Sequence, residues 1–150
     1  YGRGLAVERI RAAATAARAL PFPFTLTARC ENYLVGRPDL ADTILRLQAY
    51  QEAGADVLYA PGLSTADEIG AVVRSVDRPA NVVMGLKGVQ LNLAELSALG
   101  VRRVSVGSAL ARATLGAFHR AATEMRERGT FDFAASAMSM KDLSDRFTPA

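Results

Sequence analysis

Apolar positions along the chain switch repeatedly between a helical period and short unbroken runs. Residues 5–20 are dominated by alanine, and Leu5 and Ile10 leave a thin apolar face, which predicts a helix. Pro21 and Pro23 end it and lead into a strand over 24–28. Leu40, Ile44, Leu47 and Tyr50 form the stripe of a second helix. Asp39 stands at its start, Asp42 in its first turn and Gly54 at its end. A second strand over 56–60 is broken by Pro61-Gly62. The next helix opens with Thr65 and Glu68 at capping-box spacing and turns Ile69, Val72, Val73 and Val76 inward. Pro79 introduces a strand over 80–84, and Gly85 and Gly88 bracket a loop. Asn92 and Glu95 repeat the cap spacing before a short helix that Gly100 closes. A fourth strand over 103–106 ends at Gly107-Ser108. A long helix follows over 109–128, with Leu110, Leu115, Phe118, Ala122 and Met125 as its expected core contacts. Gly129 stops that helix, and Ser139 with Asp142 caps a short one ending near Phe147.

The order is one helix, then four strands each followed by a helix. Strands this short, apolar on both faces and separated by single helices are expected to be parallel, joined by right-handed crossovers. Two architectures satisfy that pattern. One is a flavodoxin-like open sheet with helices on both faces. The other is half of an eight-stranded TIM (β/α)8 barrel, whose full form needs about 250 residues. Edge strands of an open sheet tend to be amphipathic, whereas all four here are strongly apolar, which favours the barrel. Residues 1–150 read as a single partial barrel domain, with 130–150 as a helical tail.

Composition narrows the class. The 150 residues are 50% hydrophobic and 22% charged, as in a water-soluble domain. No apolar run reaches the ~20 residues of a membrane span, and the N-terminus lacks the order of a signal peptide. The net charge of +3 is spread over interspersed pairs such as Glu8-Arg9, which argues against a nucleic-acid stripe and leaves room for a small anionic ligand. The single cysteine, Cys30, excludes an internal disulfide and a cysteine-rich metal site, and fits a cytoplasmic location. The chain begins at Tyr1, as a fragment or a processed product does.

Candidate chemistry gathers at the end of the first strand, where an apolar run meets Arg29-Cys30-Glu31-Asn32. Polar groups clustered at the end of a buried strand mark the active-site rim of α/β enzymes. Arg29 is either an oxyanion anchor, through its planar fork of donors, or half of an ion pair with Glu31. Cys30 reads as a small buried hydrophobe, Asn32 as a turn residue, Tyr59 as core and His119 as a helix-surface residue. Asn81 lies inside a strand, where its amide needs hydrogen bonds, and is a candidate pocket lining. Ser108 precedes a helix N-terminus, either as a plain cap or as an anion contact. Gly85-Leu86-Lys87-Gly88 lacks the spacing of a phosphate-binding P-loop.

The segments Thr27-Ala28-Arg29-Cys30-Glu31-Asn32, Ala49-Tyr50-Gln51-Glu52-Ala53-Gly54-Ala55-Asp56, Pro79-Ala80-Asn81-Val82 and Gly100-Val101-Arg102-Arg103-Val104-Ser105-Val106-Gly107-Ser108 together resemble the isocitrate lyase / phosphoenolpyruvate mutase superfamily, colinearly from about Leu5 to Phe147. The resemblance implies strands five to eight of a (β/α)8 barrel. It also implies an enzyme that cleaves a C–C bond, or rearranges a P–C bond, beside a carboxylate in small oxo- or hydroxy-acids, through a Mg²⁺-bound enolate-like intermediate. Isocitrate or methylisocitrate lyase-like and oxaloacetate decarboxylase-like activities are of this kind. Arg29 matches the family arginine that holds the substrate's carboxylate or phosphoryl group. Glu31 takes the place of the aspartate in the common Arg-Thr-Asp pattern, and Arg29 and Glu31 are the implied catalytic pair. Arg29, Asn81 and Ser108 are the implied substrate contacts. Pro61 stands where mutases carry histidine and lyases often glutamate, which points to the lyase or decarboxylase-like branch.

The family's metal-binding acids lie on earlier strands, as does its Lys-Lys-Cys-Gly loop. The implied Mg²⁺ ligands are therefore outside this chain, and the chain alone is expected to be inactive. Association into a homo-oligomer is also implied. The alternative is a non-catalytic half-barrel that acts through oligomerisation.

Overall fold

The computed structural model describes residues 1–85 and 90–148; the loop positions Lys87 and Gly88 lie outside the described residues. Two compact units form, residues 1–107 and 108–150. The first contains α1 (Arg3–Arg18), β1 (Thr27–Arg29), α2 (Leu40–Glu52), β2 (Val57–Tyr59), α3 (Ala66–Arg74), β3 (Ala80–Val83), α4 (Leu93–Ala98) and β4 (Arg103–Ser105). The second contains α5 (Ala109–Arg128), a 3-10 helix (Asp132–Ser136) and α6 (Met140–Phe147).

The four strands pair in sequence order, β1-β2-β3-β4, and every pair is parallel. A doubly wound sheet must reverse its strand order to place helices on both faces. This sheet has no reversal, so the flavodoxin-like alternative is excluded. With right-handed crossovers throughout, each connecting helix of the first unit falls on the same face. The core confirms it. Ala28, Leu58 and Ala60 pack with Leu47 and Tyr50 of α2, Val72 of α3 and the Ala6, Val7 and Ile10 side of α1. Val82 and Val104 pack with Ile69 of α3 and Leu96 of α4. The register keeps these strand residues on one side: Ala28 faces Leu58, Leu58 faces Ala80, and Val82 faces Val104. One-sided packing of successive βα units is the arrangement of half a (β/α)8 barrel.

The strands are shorter than the apolar runs suggest. β1 starts at Thr27 rather than at 24 because the Leu26 N–H is taken by the Asp56 carboxylate at 2.8 Å and the Leu26 carbonyl by the N–H groups of Asp56 and Val57. Phe22 and Phe24, which precede it, are exposed. Helix starts fall where the caps predict. Asp39 accepts from the Asp42 N–H, and Thr65/Glu68 and Asn92/Glu95 each form a reciprocal capping box. Ser139 accepts from the Asp142 N–H at the head of α6. Gly54 ends α2 at φ +107, and a Cβ there would strike Ala14 of α1 at 2.9 Å, so both conformation and space require glycine.

One expectation fails in the second unit. Leu110, Leu115, Phe118 and Met125 are exposed rather than core. Within its unit α5 packs against the 3-10 helix, and its buried residue is Glu124, which accepts from Thr130 Oγ1 at 2.8 Å and from the Asp132 N–H.

Leu58 is fully buried at the centre of the helix-covered face, whereas Leu93 of α4 is 72% exposed. Chemical denaturation is expected to show Leu58→Ala losing about 3 kcal/mol and Leu93→Ala less than about 0.5 kcal/mol. Similar losses for the two would contradict the one-sided core.

Candidate active-site rim

The helix-free face of the first unit's sheet carries the candidate residues Arg29 and Asn81. Side chains alternate along a strand, so the residues between the core positions point the other way. Register aligns them across all four strands: Arg29 beside Tyr59, Tyr59 beside Asn81, and Asn81 beside Arg103. The helix-covered face is apolar throughout, whereas this one is mixed: Val57 and Val83 share it with Thr27, Arg29, Tyr59, Asn81, Arg103 and Ser105, so the expectation of two apolar faces holds only in part.

Arg29 is the last residue of β1. Its Nε donates to Glu31 Oε1 at 2.7 Å and its Nη2 to Oε2 at 3.4 Å. The guanidinium lies over the Tyr59 ring, 5.1 Å from the centroid, within cation–π range. Burial pushes the Tyr59 phenol up, partly opposed by Arg29. The side chains of Arg29 and Glu31 are 51% and 45% exposed, and an ion pair this wet contributes only about 0–1 kcal/mol. Arg29 is thus held in place by stacking and by a pair that an incoming anion can exchange. Beside it lies a cleft of about 190 Å³ whose walls include Arg29, Glu31, Asn32, Arg37 and Arg46. Two of these three guanidiniums are already paired, Arg29 with Glu31 and Arg46 with Asp42.

Asn81 is 4% exposed, and both ends of its amide are hydrogen-bonded. Arg103 Nη1 donates to its Oδ1 at 2.7 Å, and its Nδ2 donates to Ser105 Oγ at 3.0 Å. Arg103 and Ser105 do not stand out in the sequence, although the alternation Arg103-Val104-Ser105-Val106 carried the signal. Ser108, the residue before α5, is exposed, makes no side-chain cap bond and belongs to the second unit.

The rest of the polar strand end serves the loop. Cys30 is 2% exposed and its thiol is pushed up by burial. Asn32 donates to Asp42 Oδ2 at 2.8 Å and to Thr43 Oγ1 at 3.2 Å, which ties the loop to the first turn of α2. Arg46 holds the Asp42 carboxyl below its usual range, helped by Asn32. Tyr33 donates to Glu68 Oε1 at 2.9 Å, and a Cβ on Gly62 would meet Tyr33 Cβ at 2.8 Å. The loop after β1 therefore rests on the loop after β2 and on the α3 cap. Among the described residues, no group of three or more His, Cys, Asp or Glu is placed to hold a metal ion. The residues present do not fit a Mg²⁺ site. A larger cavity of about 580 Å³ lies along α5, where Glu124 and Arg128 are already paired. Among the described residues no helix is long and apolar enough to cross a membrane.

A one-sided parallel βα sheet taken in sequence order is the architecture of half a (β/α)8 barrel. The phosphoenolpyruvate phosphomutase family profile matches residues 2–126. The chain belongs to the phosphoenolpyruvate mutase/isocitrate lyase superfamily. It superimposes with a TM-score of 0.90 and 68% identity on a Burkholderia cenocepacia J2315 protein named only as a lyase/mutase, covering 98% of this chain and 53% of that one. Phosphonopyruvate hydrolase, solved with oxalate and Mg²⁺, matches at 32% identity and a TM-score of 0.71, over 93% of this chain and 51% of that one. A Mycobacterium tuberculosis H37Rv protein of unassigned function is 37% identical over 84 residues, 55% of this chain and 31% of that protein. The chain thus spans about half the length of the solved structures, and the match to the curated relative covers about a third of that protein.

Burial raises the Tyr33 phenol, with Glu68 adding to the effect, from 10.0 to about 12. Burial works to raise Glu68 too, but hydrogen bonds from Ser64, Tyr33 and Thr65 outweigh it and leave its carboxyl below the usual glutamate value of 4.5. A raised phenol stabilises the fold fully below pH 10 and loses that contribution as pH rises through about 12. A lowered carboxyl stabilises above its unfolded value and is lost as pH falls through its folded one. Alkaline titration of phenolate absorbance is expected to show a phenol titrating near 12 that disappears in Tyr33→Phe. An unchanged titration in that variant would rule out the Tyr33–Glu68 clamp.

Proposed function

We propose that the chain forms the substrate-anchoring wall of a Mg²⁺-dependent lyase of this superfamily, acting beside the carboxylate of a small oxo- or hydroxy-acid. The observation that carries this reading is the rim arginine. Arg29 sits at a strand end, stacked on Tyr59 and paired with an exposed Glu31. A substrate carboxylate would take two parallel hydrogen bonds from its fork, and Glu31 would keep the fork oriented. Asn81 would line the pocket. The acids that hold Mg²⁺ would come from outside this chain, since its own residues do not fit that site. The oxalate and Mg²⁺ bound by the related hydrolase support the substrate class and the metal at the level of the superfamily. Pro61 in place of a histidine or glutamate fits neither a strict mutase nor a strict isocitrate or methylisocitrate lyase and leaves the loosely defined lyase or decarboxylase-like branch.

A second reading rests on the sheet itself. Among the described residues neither β1 nor β4 has a second strand neighbour, and a parallel sheet with open edges invites pairing. In that reading the half-barrel pairs with another copy and does no chemistry of its own. Sedimentation at micromolar concentration is expected to show a dimer if pairing closes the sheet; a stable monomer would exclude it.

Calorimetric titration with oxalate tests the main reading. Arg29→Lys is expected to weaken binding about tenfold, because an ammonium cannot reproduce the bidentate fork, and Arg29→Gln is expected to abolish it. Equal affinity in Arg29→Gln would overturn the assignment of the anchor. With Mg²⁺ and either oxaloacetate or 2-methylisocitrate, the 150-residue chain is expected to show no turnover. Robust turnover would show that the chain holds a complete site.

A further inference from the structure

We propose that Arg103 is a positioning residue that turns Asn81 into a dedicated hydrogen-bond donor, so that this point of the site accepts only an acceptor oxygen of the ligand. The inference rests on the reading of Asn81 as pocket lining and adds to it the direction of the contact.

An asparagine amide presents either a carbonyl oxygen or an NH₂ group to its surroundings, and its two ends are nearly isosteric. A neighbour that can only donate removes the ambiguity. Arg103 is such a neighbour, because a guanidinium has no acceptor. Its Nη1 lies 2.7 Å from Asn81 Oδ1, which fixes the oxygen towards β4. Asn81 Nδ2 then gives one N–H to Ser105 Oγ at 3.0 Å. Ser105 can accept it because its own hydroxyl proton is directed to the Val82 carbonyl, at the long distance of 3.5 Å. Among the described residues nothing accepts the second N–H of Asn81.

The placement gives that N–H a use. Asn81 stands in the row that Arg29 and Tyr59 occupy, on the face of the sheet that no helix of the first unit covers. Arg103 itself has no carboxylate partner among the described residues, unlike Arg29. Its charge therefore acts on the Asn81 carbonyl, which polarises the amide and makes Nδ2–H the stronger donor. The effect passes through the amide, so Arg103 need not touch the ligand. A carboxylate or keto oxygen satisfies the free N–H; a ligand group that only donates finds no acceptor there.

The test uses the isotope-labelled 150-residue chain with Arg103→Met, Arg103→Lys and Asn81→Asp. Near-ultraviolet circular dichroism confirms that each is folded. In the wild-type chain one Asn81 side-chain amide proton, held by Ser105 Oγ, is expected to be protected from solvent exchange relative to the other. Arg103→Met should free the side chain to flip about χ2 and remove that protection, and Arg103→Lys, which still donates, should restore it. In a parallel titration, oxalate affinity is expected to fall about tenfold in Arg103→Met and to recover within about threefold in Arg103→Lys. Asn81→Asp keeps the pair with Arg103 but has no N–H, and should bind as weakly as Arg103→Met or more so. Unchanged amide signals in a folded Arg103→Met chain would overturn the positioning role. A changed amide with unchanged oxalate affinity would overturn the donor role. If the amide responds as expected but wild-type chain binds no oxalate, the positioning role stands and the anion-anchoring reading of this chain fails.

Discussion

Each crossover of the first unit lands on the same side of the sheet, and that single constraint organises the rest. It follows from four parallel strands taken in sequence order, where right-handed connections leave no choice of face. The side that receives the helices must be apolar, and Ala28, Leu58, Val82 and Val104 meet that demand. The other side is released from it. Polar residues can then stand in register there at little cost, provided their hydrogen bonds are met. Arg29, Asn81 and Arg103 meet them with Glu31, Ser105 and one another.

The two faces differ in what they contribute to stability. Fully buried leucines on the covered side each contribute roughly 1.5–3 kcal/mol, while the rim ion pair contributes almost nothing. A residue that adds little to stability can change partners freely. Stacking on Tyr59 limits the conformations Arg29 must give up on binding without tying its donors.

How much of this the sequence showed depends on the range of the interaction involved. Helix caps are local, and Asp39, Thr65 with Glu68, Asn92 with Glu95 and Ser139 with Asp142 all cap where their spacing predicted. The parallel βα order and the half-barrel were legible from the alternation of short apolar runs and helical stripes. Strand ends were not, because they depend on a partner strand: β1 begins at Thr27 owing to Asp56, thirty residues away. Arg103 was missed for the same reason, since only register places it beside Asn81. The stripe on α5 was legible as a pattern but not as a core, because the element that packs within its unit meets the Glu124 side.

Glu68 links two regions that sequence keeps far apart. Its carboxylate completes the cap of α3 through the N–H groups of Ser64 and Thr65, and it also holds the Tyr33 hydroxyl of the loop that carries Glu31. Gly62 lets the same loop close against the strand end. Fraying of the α3 N-terminus and opening of the rim loop are therefore one event with one free energy. In native-state hydrogen exchange the Leu34, Val35 and Arg37 amides, which bond within the loop, would open together with the first turn of α3 as a single cooperative unit. The rim is thus as rigid as a helix cap, and its mobility is set from a neighbouring βα unit.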